Sequence, residues 1–158
     1  MPSQWARRWG YVAKDAPTGR CGVTIKFLHT DETGPVSDVT CWRDSWKDFD
    51  QCVWHADTDN KPRDDLAEAR TEYPERLDGA IIQGNNMGSS ISFANCRMNG
   101  AELTDANFSM ADFSNAMLRY ATLDETQFFQ TNFSRANLSQ ATLEKVNLQN
   151  ADLTHTPL

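Results

Sequence analysis

From residue 91 to the end of the chain a large apolar residue recurs at every fifth position, and the residues between are small or polar. Written in fives, the sequence runs ISFAN CRMNG AELTD ANFSM ADFSN AMLRY ATLDE TQFFQ TNFSR ANLSQ ATLEK VNLQN ADLTH. The third residues of these blocks are Phe93, Met98, Leu103, Phe108, Phe113, Leu118, Leu123, Phe128, Phe133, Leu138, Leu143, Leu148 and Leu153, and the first is small or β-branched, mostly alanine. A period of five fits neither the 3.6 of a helix nor the 2.0 of a strand. It predicts a solenoid, whose units each make one side of a coil and stack on their neighbours.

The pattern resembles the pentapeptide-repeat family, A(D/N)LXX, over residues 91 to 155. That resemblance implies a mainly β fold, a right-handed quadrilateral β-helix with four blocks per coil and the first and third residues of each block pointing inward. Inward residues twenty apart should then stack. Phe93, Phe113 and Phe133 fall in one column and Phe108 and Phe128 in the next, whereas the columns 98/118/138 and 103/123/143 hold only Met and Leu. Thirteen blocks make about three coils, and Leu158 continues the 98/118/138 column, so three to four coils are expected. Ahead of them, RLDGAIIQGNN (residues 76 to 86) reads as a block, LDGAI, followed by a break in register, which predicts an irregular first coil over residues 77 to 90 with GNNMGSS as a loop. Each open end of a solenoid bares unpaired backbone groups and needs a cover. The N-terminal module can cover one, and the tail or a second copy of the chain the other. Many pentapeptide-repeat proteins are dimers through their C-terminal coils, and the resemblance implies a homodimer as one arrangement.

The first half of the chain has a different texture. All five tryptophans fall within the first 54 residues, and six of the eight phenylalanines fall after residue 90. The shift predicts an N-terminal module over residues 1–60, a linking helix within 61–76 and the repeat over 77–158. CGVTIKFLHTDETGPVSDVTC reads as a hairpin, with β-branched and aromatic residues flanking the turn cluster TDETGP. Folded about residue 31, it sets Cys21 across from Cys41. Cys52 and His55 form a CVWH knuckle, and three thiolates with one imidazole would complete a closed tetrahedral shell suited to structural Zn2+. A Cys21–Cys41 disulfide would suit the same hairpin but strands Cys52 and needs an oxidising compartment; unrelated buried thiols are the third reading. The stretch CWRDSWKDFDQCVWHAD also resembles the zinc-finger-like leader that precedes pentapeptide repeats in proteins of salt-loving archaea. Cys96, the first residue of a block, reads as a buried structural thiol. Trp42, Trp46 and Trp54 read as the packing of a module too small to hold together by its core alone.

NKPRDDLAEARTEYPERL predicts one short helix from about Pro62 to Thr71, with proline in its first turn. Trp5 and Trp9, spaced i, i+4, suggest a first helix capped by Ser3. That face either packs on the finger or, with Arg7 and Arg8, contacts a partner.

Charge narrows the functions. Residues 1–90 hold 11 basic and 15 acidic side chains and residues 91–158 hold 4 and 7, so neither half has the basic footprint of a protein that binds bare nucleic acid. There is no apolar run of spanning length and no recognisable secretory signal, which makes a cytoplasmic address, or a place within a larger particle, the expectation. Neither His29 nor His155 has an acid or serine motif beside it, and no Gly-rich phosphate loop occurs, so the chain reads as a non-enzyme. The expected role is a protein-protein interaction or scaffold module. The alternatives are a structural subunit or decoration of a larger assembly, and a DNA-mimicking topoisomerase-binding protein like the gyrase-protection members of the family.

Overall fold

In a computed structural model of the chain, the residues described are 10–12, 18–19, 21, 23–25, 39–41, 43–49, 51–70, 75–88 and 91–158. They divide between two compact units, Met1–Asp57 and Thr58–Leu158.

The N-terminal unit contains a three-stranded antiparallel sheet, β1 (Gly10–Val12), β2 (Val23–Ile25) and β3 (Val39–Thr40), in the order β1-β2-β3. Strand β1 lies at the end of the segment read as a first helix, and it pairs Val12 with Val23. Ser3, Trp5, Arg7, Arg8 and Trp9 themselves lie outside the described residues, as do Trp42 and His29. The β2–β3 hairpin forms with a different register from the one expected. Cys41 N–H donates to Val23 O and Cys21 N–H donates to Arg43 O, both at 2.8 Å, so Cys41 stands opposite Val23 and Cys21 opposite Arg43. The pairing of Thr24 with Thr40 centres the hairpin on residue 32 rather than 31, which shifts the partner by two residues. A shift of two preserves the face of a strand. Both cysteines therefore stay on one side of the sheet.

The second unit begins with a short segment and helix α1 (Arg63–Ala69), close to the span expected, with Pro62 at its N-cap, Asp64 and Asp65 in the first turn and Leu66 buried. Acidic residues there complement the positive end of the helix dipole. The solenoid follows. Parallel bridges occur at every fifth residue, Arg97↔Met117, Glu102↔Thr122, Asn107↔Gln127 and Asp112↔Asn132, and recur as Met117↔Asn137, Thr122↔Thr142, Gln127↔Asn147 and Asn132↔Asp152. Four bridges per twenty residues define a four-sided coil.

The first coil is more regular than its sequence suggests. Arg76↔Arg97, Ile81↔Glu102 and Asn86↔Asn107 pair with an offset of 21, so the blocks are ERLDG, AIIQG and the six-residue NNMGSS. LDGAI is thus not a unit, and Met87, expected in a loop, is fully buried on a coil face together with Leu77 and Ile82. One extra residue in the third block hides a coil that is otherwise in step.

Inside a block, the hydrogen bonds account for the repeat. The first-position N–H of one block closes a turn on the third-position carbonyl of the block before, as in Cys96 N to Phe93 O at 3.1 Å. The second, third and fifth N–H groups go to neighbouring coils, as in Met117 N to Cys96 O, Leu118 N to Asn137 O and Tyr120 N to Ser139 O. That leaves the fourth N–H. Where the second residue is Asn or Asp, its side chain accepts it: Asn107 from Ser109, Asp112 from Ser114, Asn132 from Ser134, Asn137 from Ser139. Where the second residue is Arg97, Met117 or Thr142, a fourth-position side chain one coil below takes over, Asp78 accepting from Asn99, Asn99 from Arg119 and Asp124 from Glu144. Buried threonines at first positions do likewise for carbonyls, Thr126 Oγ1 donating to Leu103 O and Thr131 Oγ1 to Phe108 O.

The turn places every fifth residue in the left-handed region, including Met110 at φ 61°. A non-glycine residue pays about 1–2 kcal/mol for this conformation. Met110 is 57% exposed, so its side chain gives little in return. Met110→Gly is expected to stabilise the array by up to about 1 kcal/mol, after the glycine's own entropy loss, in chemical denaturation.

The inward phenylalanines form one ring cluster. Phe93, Phe113 and Phe133 stack at 5.1 and 5.2 Å, Phe108 stacks on Phe128 at 5.7 Å, and the two columns meet edge to face, closest for Phe128 and Phe133 at 4.9 Å. Third-position residues from Phe93 to Leu138 are buried, while Leu143, Leu148 and Leu153 are half-buried.

The other end of the stack is covered by the segment that precedes it. Lys61 is buried and its Nζ donates to Ile81 O, Asn60 N–H donates to Gln83 O, and Arg70 Nε donates to Ser92 O. Arg70 also pairs with Glu75 at 2.7 Å and donates to the buried Cys96 sulfur at 3.0 Å. Asn85 locks the segment down, accepting from Lys61 N at 3.3 Å and donating to Lys61 O at 2.6 Å. Asn85→Ala removes both bonds in a buried site. A loss of about 1–3 kcal/mol is expected, read as faster hydrogen exchange over residues 60–70.

Candidate functional site

Two strands and a turn assemble the cysteines and the histidine. Cys21 enters from the edge of β2 and Cys41 follows β3, held together by the hairpin bonds already described. Cys52 begins a tight turn in which His55 N–H and Ala56 N–H both donate to Cys52 O, at 3.0 and 2.9 Å. That turn folds the imidazole back over its own cysteine. His55 Nδ1 lies 3.3 Å from both Cys21 Sγ and Cys52 Sγ, and Cys41 Sγ lies 3.8 Å from Cys52 Sγ. All four ligand atoms lie within 4.8 Å of one another. A tetrahedral ion with metal–sulfur bonds of about 2.3 Å holds its sulfurs about 3.8 Å apart and its nitrogen slightly closer. The four atoms are therefore close enough to share one ion, and no cysteine of the chain is in a disulfide.

The environment also calls for a cation. Cys21, Cys52 and His55 are buried, while Cys41 is half-exposed. Hydrogen bonds from Cys21 and Cys52, with the His55 charge, hold the Cys41 thiol far below its ordinary range, whereas contact with Cys21 and Cys41 and burial drive Cys52 far above it. One thiolate thus suppresses the next. Burial would lower His55, but its contacts with Cys21 and Cys41 and their negative charge outweigh this and raise it to about 9. A divalent ion would relieve the repulsion that keeps the second sulfur protonated. Trp54 is fully buried in the same turn, and Trp46 stacks on Phe49 at 5.2 Å with Lys47 over its face at 4.7 Å.

The array carries its surface chemistry by side. Blocks 101–105, 121–125 and 141–145 display Glu102, Asp105, Asp124, Glu125 and Glu144, with Lys145 bound to Glu125 at 2.6 Å. The preceding side displays Arg76 and Arg97, about half exposed and both beside the buried Asp78, and then Arg119 against Tyr120. The side made by 106–110, 126–130 and 146–150 has no charged residue and exposes Met110. His155 is exposed at the end of the array. Sequence reasoning did not anticipate Lys61, Asn85 and Arg70; a lysine and an asparagine in a polar stretch give no signal of burial.

Residues 96–135 and 121–156 match the family described as pentapeptide repeats, in 8 copies. Pentapeptide repeats form right-handed β-helices, and proteins built from them generally act as protein-interaction modules and are mostly non-enzymatic. Similar solved structures include the pentapeptide repeat protein Rfr23 from the cyanobacterium Cyanothece 51142, at 19% identity and TM-score 0.43, covering 53% of this chain and 77% of that one. HetL, a pentapeptide repeat protein involved in heterocyst differentiation regulation from the cyanobacterium Nostoc sp. strain PCC 7120, is 28% identical with TM-score 0.31 and coverage of 52% and 44%. QnrB1, a plasmid-mediated fluoroquinolone resistance protein, is 17% identical with TM-score 0.30 and coverage of 49% and 52%. No curated protein matches the chain. The bridge register itself shows a four-sided coil of five-residue blocks in this chain. Among the described residues no helix is long and apolar enough to cross a membrane.

Proposed function

We propose that the chain is a non-enzymatic interaction or scaffold module, in which structural zinc holds the N-terminal unit together and the pentapeptide-repeat array presents flat faces to a protein partner. The observation that carries this reading is the sorting of surface chemistry into an acidic, a basic and an uncharged side on one stack, the fourth side, with Asp112, Arg135 and Asp152, being mixed. A solvated surface has no need of such sorting. Three sulfurs and a nitrogen fill a tetrahedral shell and leave no place for a reacting water, which suits a structural ion. The reading places the chain in a reducing compartment, where its thiols remain available to metal.

The test is the mass of the native species. Isolated at native abundance, the chain is expected in a complex heavier than its own 17.8 kDa, and reversing charge on one side at a time, Glu125→Lys with Glu144→Lys or Arg76→Glu with Arg97→Glu, should release the partner from one side only. A chain that runs alone, with neither pair of changes affecting it, would sink the reading.

The C-terminal end supports assembly as a second mode. Leu143, Leu148 and Leu153 are half-buried there and Leu158 is 67% exposed, although the tail bonds to the stack through Leu138 N to Pro157 O and Thr156 Oγ1 to Phe133 O. A second copy or another subunit set on this end would bury them. The DNA-mimic alternative fits less well, because five of the seven acidic residues of the array share one side and the side before it carries Arg76, Arg97 and Arg119. It predicts inhibition of DNA supercoiling by micromolar protein, and we expect none.

A further inference from the structure

We infer that Arg43 is a positioning residue that guards the exposed edge of the metal centre; this rests on reading Cys21, Cys41, Cys52 and His55 as a metal site. Three of the four are buried, and Cys41 alone is half-exposed. Arg43 stands two residues beyond it, on the same face of the extended chain. Its Nη1 donates to Cys41 Sγ at 3.7 Å. Its backbone is fixed by the site itself, since Arg43 O accepts the Cys21 N–H at 2.8 Å. Arg43 is therefore tied through its backbone to one residue of the cluster and directs its guanidinium at another.

The chemistry gives this contact a purpose. A divalent ion with three thiolates and a neutral imidazole has a net charge of minus one, and a guanidinium at the sulfur offsets it. Metal leaves such a closed shell by substitution: one metal–sulfur bond breaks while an incoming ligand's bond to the metal forms, with no change of oxidation state. Only Cys41 has solvent beside it, so the substitution starts there. Arg43 opposes it by holding the sulfur and by occupying the approach.

The full chain loaded with one equivalent of Zn2+ would be challenged with excess chromogenic chelator, as wild type, Arg43→Lys and Arg43→Met. The methionine variant is expected to release zinc about ten- to a hundred-fold faster, with lysine between. Iodoacetamide should modify Cys41 ahead of Cys52, and sooner in the methionine variant. The thiolate-to-metal absorption of the Co2+-loaded proteins should be alike in all three, which separates guarding from assembly. Equal release rates would overturn the role, as would loss of Cys41 and Cys52 in step. A methionine variant that never takes up Co2+ would make Arg43 a folding residue and overturn it too. If wild type binds neither ion, the metal reading itself falls and takes this role with it.

Discussion

Protein purified without added metal is expected to contain one equivalent of zinc, and Cys52→Ser to lose the ion together with the order of residues 51–57 and of strands β2 and β3. Cys52 is the pivot of the site, with Cys41 Sγ at 3.8 Å, His55 Nδ1 at 3.3 Å and a carbonyl that closes the turn. The N-terminal unit has little else to lean on: its described strands are two or three residues long. Apparent binding free energies of structural zinc sites are about 10–16 kcal/mol near neutral pH, and most of that is folding free energy. No single side-chain truncation in the array approaches this effect. Chelation should abolish protection from hydrogen exchange in strands β2 and β3 and residues 51–57 and leave residues 96–135 protected, because the repeat is a separate unit. A metal-free protein with a protected N-terminal unit would refute the prediction.

Uptake should also release protons in a pH-dependent way. In the metal-free cluster His55 is raised from 6.5 to about 9, so near pH 7 it holds a proton that the ion must displace. That contribution is present below about 9 and fades as pH rises through it. Titration with an indicator dye at pH 7 and above pH 9 would read the difference directly. Identical release at both would contradict the assignment of His55.

Phe113→Ala is expected to be the most damaging single substitution in the array, costing about 3–5 kcal/mol. Its ring is fully buried, stacked between Phe93 and Phe133 at 5.1 and 5.2 Å and met edge-on by Phe108 and Phe128 at 5.3 and 5.9 Å. The cavity would open at the junction of both aromatic columns, between coils above and below, where neither neighbour can collapse into it. Leu143 has the same place in its block but lies half-buried in the last coil. Leu143→Ala should cost about 1 kcal/mol or less. A solenoid unfolds by neighbouring units and not as one block. The contrast is therefore best read by local hydrogen exchange, with Phe113→Ala exposing coils on both sides and Leu143→Ala only the end. Equal effects would mean that the end of the array is covered in solution.

The array was legible because its period is carried by side-chain size alone: thirteen blocks repeat a large residue at the third place, and a wrong phase would bury Asn and Asp. The first coil was obscured by a single added residue within NNMGSS, which breaks the period seen by eye but not the stacking of Leu77, Ile82 and Met87. The clustering of Cys21, Cys41, Cys52 and His55 was legible from residue type and spacing, but the register of their hairpin was not. Turn residues such as TDETGP permit several closures, and alternatives two residues apart leave the same side chains facing the same way. Strand β1 has three residues and no alternation long enough to read. The cap was invisible for another reason. Lys61 and Arg70 are near the start of the stack only after it has formed, and each makes a bond to a backbone carbonyl, Ile81 O and Ser92 O, which every sequence supplies.

The twenty-residue closure of the coil makes chain length an angular quantity. Excising residues 116–135 would remove one storey and return every later side chain to the side it now occupies. Excising only 116–120 would turn everything beyond by a quarter revolution, so that Asp124, Glu125 and Glu144 would stand in line with Arg76 and Arg97. Duplications of twenty would lengthen the prism without changing what it shows. Five-residue gains and losses would instead act as rotations, a route by which this architecture can exchange one presented face for another without altering a single residue of either.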